Sequence, residues 1–322
     1  MTARHVRVAC MAILAAGLLR PALACAGTAT GAAVDTEAPS VDTADVARFY
    51  AAFDSARRRP DAESLERAYL RPGSDALRQF TRERIGSMDK LAAAIAAKPA
   101  QYEHARACAA VMPGVRRRVA ASLRAFGRLL PGIARPPVTV VVGRGNSGGI
   151  TTAAGVVVGL ETLCAADWMQ PDLEDRFVHL IVHEYAHVQQ PGAQVESPSS
   201  SLLYQSLVEG GAELVAALAS GEPANAHLRA WARGRECALD REFMADRGGS
   251  DIARWLYNGP GDDARRGDLG YWIGYRIARA YYERAGDKPR ALRTLMDVEP
   301  GTAEDLLRAS GWAPACDDAR TP

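Results

Sequence analysis

Neither sign of charge is in excess in this 322-residue chain. Lys and Arg total 39, Asp and Glu 38, for a formal net charge of +1. With no extended basic stretch, that balance gives no reason to expect nucleic acid as a partner. No apolar run reaches transmembrane length, so no membrane-spanning anchor is expected. None of the 6 cysteines stands in CxxC spacing, and cysteine-held zinc is not supported. The stretch Gly143–Gly149 lacks a GKS/T ending and no helix directly follows it, so it is not a phosphate loop. No internal repeat is apparent. The run Arg116–Arg118 falls in a helical stretch and reads as a solvated face.

What is present starts with an export signal. Arg4, His5 and Arg7 form a basic start, Val8–Leu19 is an apolar run of 12 residues, and Ala22-Leu23-Ala24 has the small-x-small form of a cleavage site. Residues 1–24 are expected to be a signal peptide, and the mature protein periplasmic or secreted. Cleavage there leaves Cys25 first, which makes a lipid anchor an alternative. Ala22 stands where a lipobox prefers Leu, which favours plain secretion. Losing Arg4, Arg7 and Arg20 takes the net charge from +1 to −2. Cysteine usage agrees with an oxidising compartment. Cys108, Cys164, Cys237 and Cys316 suffice for two disulfides, with three connectivities open. Nearness in sequence favours Cys108–Cys164 and Cys237–Cys316.

Residues 25–45 are small and polar and read as a flexible linker. The rest, 46–316, reads as one α+β domain, mostly α-helical. Helices are expected over Ala44–Arg58, Ala62–Leu70, Ser74–Ala97 and Val115–Leu129, punctuated by Pro60, Pro72, Pro99 and Pro113. Residues 131–220 hold a small sheet and two further helices. Val138–Val142 is a β-branched run, Asn146–Gly149 is turn chemistry, and Gly155–Leu160 reads as a second strand. Residues 221–316 are helical again.

The most informative stretch is His183-Glu184-Tyr185-Ala186-His187, of HExxH form. Pro171-Asp172 starts its helix, and Asp172, Glu174 and Asp175 put negative charge in the first turns, where the helix dipole favours it. Phe177, Leu180, Ile181 and Val188 supply the apolar period, and Pro191-Gly192 ends it. Residues four apart share one face, about 6 Å apart along the axis. His183 and His187 can thus point at one metal ion. Glu184, rotated by about 100°, is placed to act as a base instead. Two ligands and a base are what zinc-assisted hydrolysis needs. After 21 intervening residues comes Glu209-Gly210-Gly211-Ala212-Glu213, in a second apolar-periodic segment, Leu202–Leu218. Glu209 suits the third ligand position. Glu213, one turn on, can accept from the far nitrogen of a ligand imidazole, His183 first. Gly210 and Gly211 would let this helix approach the HExxH helix closely.

This order of motifs resembles the gluzincin metallopeptidases. More closely, the chain is similar to a bacterial family of predicted Zn-dependent proteases, a domain of unknown function. The matching words are Tyr69 to Ser74, Asn146 to Gly149, Gly159 to Glu161, His183 to His187, Glu209 to Glu213, Gly270 to Tyr275 and Ser310 to Trp312. Gluzincins often carry Asp where this chain has Glu213. The resemblance implies a zincin-like fold, with a small sheet beside the HExxH helix, one zinc ion, and a peptide or protein substrate. It makes Val156, Val157, Val158 and Gly159 the candidate edge strand for substrate, with Asn146 and Ser147 flanking the cleft. It makes Tyr275 and Tyr271 the candidates to steady an oxyanion opposite Glu184, with Arg276 nearby for a substrate carboxylate. A plain structural hairpin and packed core tyrosines are the alternatives. His179, one turn before His183, reads as a satisfied core or surface histidine. Two other functions stay open: a metal-stabilised binding protein without turnover, and a zinc hydrolase of a non-peptide amide such as a cell-wall component.

Overall fold

The computed structural model describes residues 40–191 and 201–316. The expected signal peptide, the Cys25 anchor and the first part of the linker lie outside these described residues. The linker ends earlier than expected. Strand β1 (Val41–Asp42) and helix α1 (Ala44–Ser55) already occupy its last residues.

Val46, Phe49, Tyr50 and Phe53 recur at helical spacing on α1, and all are buried. The Phe49 ring meets Tyr69 at 5.3 Å and Tyr102 at 5.9 Å between centroids. Helix α2 (Ala62–Leu65) packs on α1, and α3 (Asp75–Phe80), α4 (Met88–Ala97), α5 (Pro99–Cys108), which carries Tyr102, and α6 (Met112–Leu129) follow in the chain. The single helix expected over Ser74–Ala97 is broken. Gly86 turns to φ 85, and the Ser87 side chain then accepts from Lys90 N to start α4. Helix α5 was not expected, because Pro99 reads as a stop. A proline in the first helical turn forfeits no hydrogen bond, and here it opens the helix.

Strands β2 (Val138–Val141), β3 (Gly149–Thr152) and β4 (Gly155–Gly159) join β1 in a four-stranded mixed sheet of order β1-β2-β4-β3. β4 runs parallel to β2, with Val138 opposite Val156, and antiparallel to β3, with Ile150 opposite Val157. This corrects the expected edge strand. Val156–Gly159 lies inside the sheet, buried throughout, and the edge belongs to Gly149–Thr152. Three valines in a row mark a strand covered on both faces rather than an edge.

Helix α7 (Leu160–Ala165) follows β4, and α8 (Leu173–Gln189) carries the HExxH stretch beside β3. Asp172 caps α8 by accepting from Asp175 N at 2.9 Å. Arg118 sits among the Asp172, Glu174 and Asp175 carboxylates, and Arg116 donates to Val41 O. The run Arg116–Arg118 is therefore partly engaged in bracing α6 against its neighbours, not simply solvated. Helix α9 (Leu202–Ser220) carries the EGGAE stretch and pairs with α8. After it come α10 (His227–Ala232), α11 (Glu236–Asp246), α12 (Leu269–Arg284), α13 (Lys288–Met296) and α14 (Ala303–Ser310).

The two EGGAE glycines do not serve the α8 contact. A Cβ at Gly210 would overlap the carbonyl of Gly274 and the amide nitrogen of Tyr275, and one at Gly274 would overlap Ser206 O. Helices α9 and α12 thus cross backbone to backbone at Gly210 and Gly274. Gly211 faces Met296 and Leu295 of α13. Disulfides join Cys108 to Cys164 and Cys237 to Cys316, the pairing that nearness in sequence favoured. No helix among the described residues is long and apolar enough to cross a membrane.

Candidate metal centre

Helices α8 and α9 bring three buried donor atoms together. His183 Nε2 and His187 Nε2 lie 3.0 Å apart, and each is 3.2 Å from Glu209 Oε2. Bonds of about 2.0–2.2 Å in tetrahedral zinc sites place ligand atoms about 3.3 Å from one another. The spacing fits such an ion.

The far side of the His187 ring fixes which of its nitrogens carries hydrogen. Gln190 Nε2 donates to Val208 O at 2.8 Å, so Gln190 Oε1 is the atom that faces His187 Nδ1, at 2.6 Å. An amide oxygen only accepts, so His187 Nδ1 bears the proton and Nε2 offers its lone pair inward. Glu213 Oε1 lies 3.2 Å from His183 Nδ1, an ion-pair contact whose angle falls short of a hydrogen bond. Glu213 is itself held by Asn225, through N at 3.1 Å and Nδ2 at 2.8 Å. Glu209 Oε1 accepts from the Tyr257 hydroxyl at 2.7 Å, leaving Oε2 to the centre. Two imidazole nitrogens and a carboxylate oxygen therefore converge in a buried position, a donor set that suits a cation.

Protons and a metal compete for these atoms. Burial pushes both imidazole pKa values down, but the carboxylates outweigh it. Glu209 and Glu213 raise His183 well above its ordinary value, and Glu209 raises His187. Burial alone would raise the Glu209 carboxyl, yet His187 and His183 hold it far below the usual range.

Glu184 is turned away from this trio toward β3. The Thr151 hydroxyl lies 2.8 Å from Glu184 O and 3.0 Å from Glu184 Oε2. A Cβ at Gly149 would come within 3.1 Å of Glu184 Oε1. Glu184 remains close enough to His187 to act on its charge. Ser147 donates to Gly149 O at the entrance to β3, whereas Asn146 is tied back to Arg84 O.

The two expected phenols part company. The Tyr271 ring lies 6.0 Å from that of His183, and burial, then Glu209, pushes its hydroxyl pKa well up, so it stays protonated. Tyr275 is not brought to the ligands. It stacks on Trp272 at 5.6 Å and meets Arg279. Arg276 is not available to substrate either, since both arms bind Asp240, at 2.6 and 3.0 Å. His179 is a satisfied buried histidine, with Nδ1 2.8 Å from Ser220 Oγ and its pKa lowered by burial. A second histidine and cysteine group, His104 with Cys108 and Cys164, spends its thiols on the disulfide.

Sequence reasoning missed Gln190, Thr151 and Tyr257. Gln190 stands three residues after a ligand histidine, a spacing that puts it on the same helical face and was legible. Tyr257 comes 48 residues after Glu209 on an irregular segment, with no pattern to mark it. That segment is clasped to the start of α12. Asp268 accepts from Asn258 N at 3.0 Å and donates its own N–H to Asn258 Oδ1 at 2.6 Å. Burial raises the Asp268 carboxyl to about 6.

Compared with known proteins, the chain matches no family model, no curated protein and no solved structure.

Proposed function

We propose that the protein is an exported, zincin-like zinc metallopeptidase of gluzincin type. The observation that carries the reading is a carboxylate outside the ligand trio, Glu184, one residue from His183 and held against the outer strand of a sheet by Thr151. A purely structural site has no use for a base there. His183, His187 and Glu209 would hold zinc. When bound, zinc supplies a Lewis acid and lowers the pKa of a coordinated water to about 7.

The chain's own groups divide the remaining work. Strand β3 pairs only with β4 among the described residues, so its other edge offers backbone N–H and C=O groups to an extended peptide. Glu184 takes the proton of the attacking water and returns it to the leaving nitrogen. Tyr271 donates to the oxyanion that develops on the scissile carbonyl. Gln190 keeps His187 in the tautomer that binds metal, and the Glu213 carboxylate lies beside His183 Nδ1 and favours a hydrogen there. The two disulfides agree with export to an oxidising compartment.

The test is metal content and peptide hydrolysis measured together on wild type, H187A and E184Q. About one zinc per chain is expected in wild type and E184Q. H187A should lose it, and chelator-sensitive cleavage should occur in wild type alone. Zinc without cleavage in wild type would turn the reading toward a non-peptide amide or a binding role. No zinc in any sample, even after supply, would end it.

A further inference from the structure

Strand β3 grips Glu184 as well as offering an edge. Thr151 Oγ1 is within hydrogen-bonding distance of two oxygens of that one residue, the backbone O at 2.8 Å and Oε2 at 3.0 Å. Glu184 O belongs to the α8 ladder, so the single hydroxyl proton is shared between the helix backbone and the carboxylate. Gly149, two residues earlier, lies on the same face of β3. It passes so close that a Cβ there would sit 3.1 Å from Glu184 Oε1 and 3.2 Å from its Cγ. The carboxylate is thus bounded on one side by a hydroxyl and on the other by a residue with no side chain. Ile150, between them, points to the opposite face and is buried.

We propose that Thr151 is a positioning residue for Glu184. Its hydroxyl, shared between Glu184 O and Oε2, restricts the carboxylate to one arrangement and so sets how the base meets the reacting water. This rests on the reading of Glu184 as the base and adds to it what sets its aim. Without a partner, a glutamate carboxylate samples several rotamers. A displacement of about 1 Å at a reacting group costs about 100-fold in rate. Because Thr151 belongs to the strand that pairs with substrate, seating a peptide on β3 and aiming the base become one mechanical event.

The experiment compares zinc-loaded wild type with T151V and T151S by crystal structure, zinc content and peptide hydrolysis. T151A serves if valine disturbs the strand. The Glu184 carboxylate is expected in one place in wild type and T151S, and rotated or split in T151V. Zinc content should be equal in all. In T151V kcat should fall about 10- to 100-fold with KM changed less than about twofold, and T151S should stay within about threefold of wild type. A Glu184 carboxylate unmoved in T151V overturns the proposal, whatever the activity. T151S behaving like T151V overturns it too, since the methyl group would then be what matters. If wild type hydrolyses nothing while the carboxylate still moves in T151V, the peptidase reading fails and the positioning role stands.

Discussion

Replacing Gly210 by alanine, with Gly211→Ala as its neighbouring control, tests how the helix that carries Glu209 is held. At Gly210 the new Cβ would overlap Gly274 and Tyr275 backbone, far inside the about 3.5 Å at which carbon atoms rest. Backbone cannot rotate away as a side chain can, so α9 and α12 must separate. Overpacking of this kind costs about 3 kcal/mol. Removing a mid-helix glycine returns about 1 kcal/mol, leaving a net loss of about 2 kcal/mol. At Gly211 the Cβ would lie 3.0 Å from Met296 Cε, a mobile methyl, and 3.4 Å from Leu295 O. There the helix gain offsets the crowding, and the net change is about zero or slightly favourable. The two variants should therefore differ by about 2–3 kcal/mol, or about 5 °C in Tm for a domain of this size. Calorimetry in the presence of EDTA reads stability alone. A zinc titration then asks whether Glu209, one residue away, has moved. G210A is expected to bind zinc more weakly, and G211A like wild type. Coincident melting of the two variants would refute the backbone crossing.

Two further outcomes follow from the surroundings of the ligands. Gln190→Leu keeps bulk but removes the acceptor at His187 Nδ1, and zinc affinity should fall about 10- to 100-fold in chelator competition. Unchanged affinity would show that the amide does not set the tautomer. Asp268, raised to about 6 from 3.8, holds its proton more tightly in the folded state. Its burial therefore costs nothing below about pH 4, and wild type loses stability as pH rises to about 6. The cost above that is at most about 3 kcal/mol. Relative to D268N, wild type should lose up to about 6 °C in Tm between pH 4 and 7, measured in EDTA. A difference between them that does not change with pH would refute the burial account.

How far the sequence could be read depended on whether the cause was local. His183, Glu184 and His187 are fixed by helix periodicity alone, and Glu209 by a second helix that pairs with the first. The folded chain brings donor atoms of His183, His187 and Glu209 to within 3.2 Å of one another. The helix-rich α+β class was legible from the same periodicities. The edge strand was not, because sheet order follows from which strands find partners, and Ile150-Thr151-Thr152 was hidden behind a turn signal. The run Val156–Val158 did hold a clue, since an unbroken apolar strand belongs inside a sheet. Tyr275 and Arg276 went elsewhere for a related reason. α12 turns its glycine face to α9, and its neighbours pack against Trp272, Arg279 and Asp240. Tyr257 reaches Glu209 across an irregular segment, which no periodicity describes.

The meeting of Gly210 with Gly274 has a consequence for biosynthesis. His183, Glu184, His187, Glu209 and Glu213 have all been joined to the chain once residue 213 is made. The wall against which the Glu209 helix rests comes some 60 residues later in the chain. A nascent or proteolysed chain ending before α12 would hold both motifs yet leave α9 without its support. It should bind metal poorly and hydrolyse nothing. Completion of the chain, rather than synthesis of the motifs, would then decide when the three donor atoms are held together.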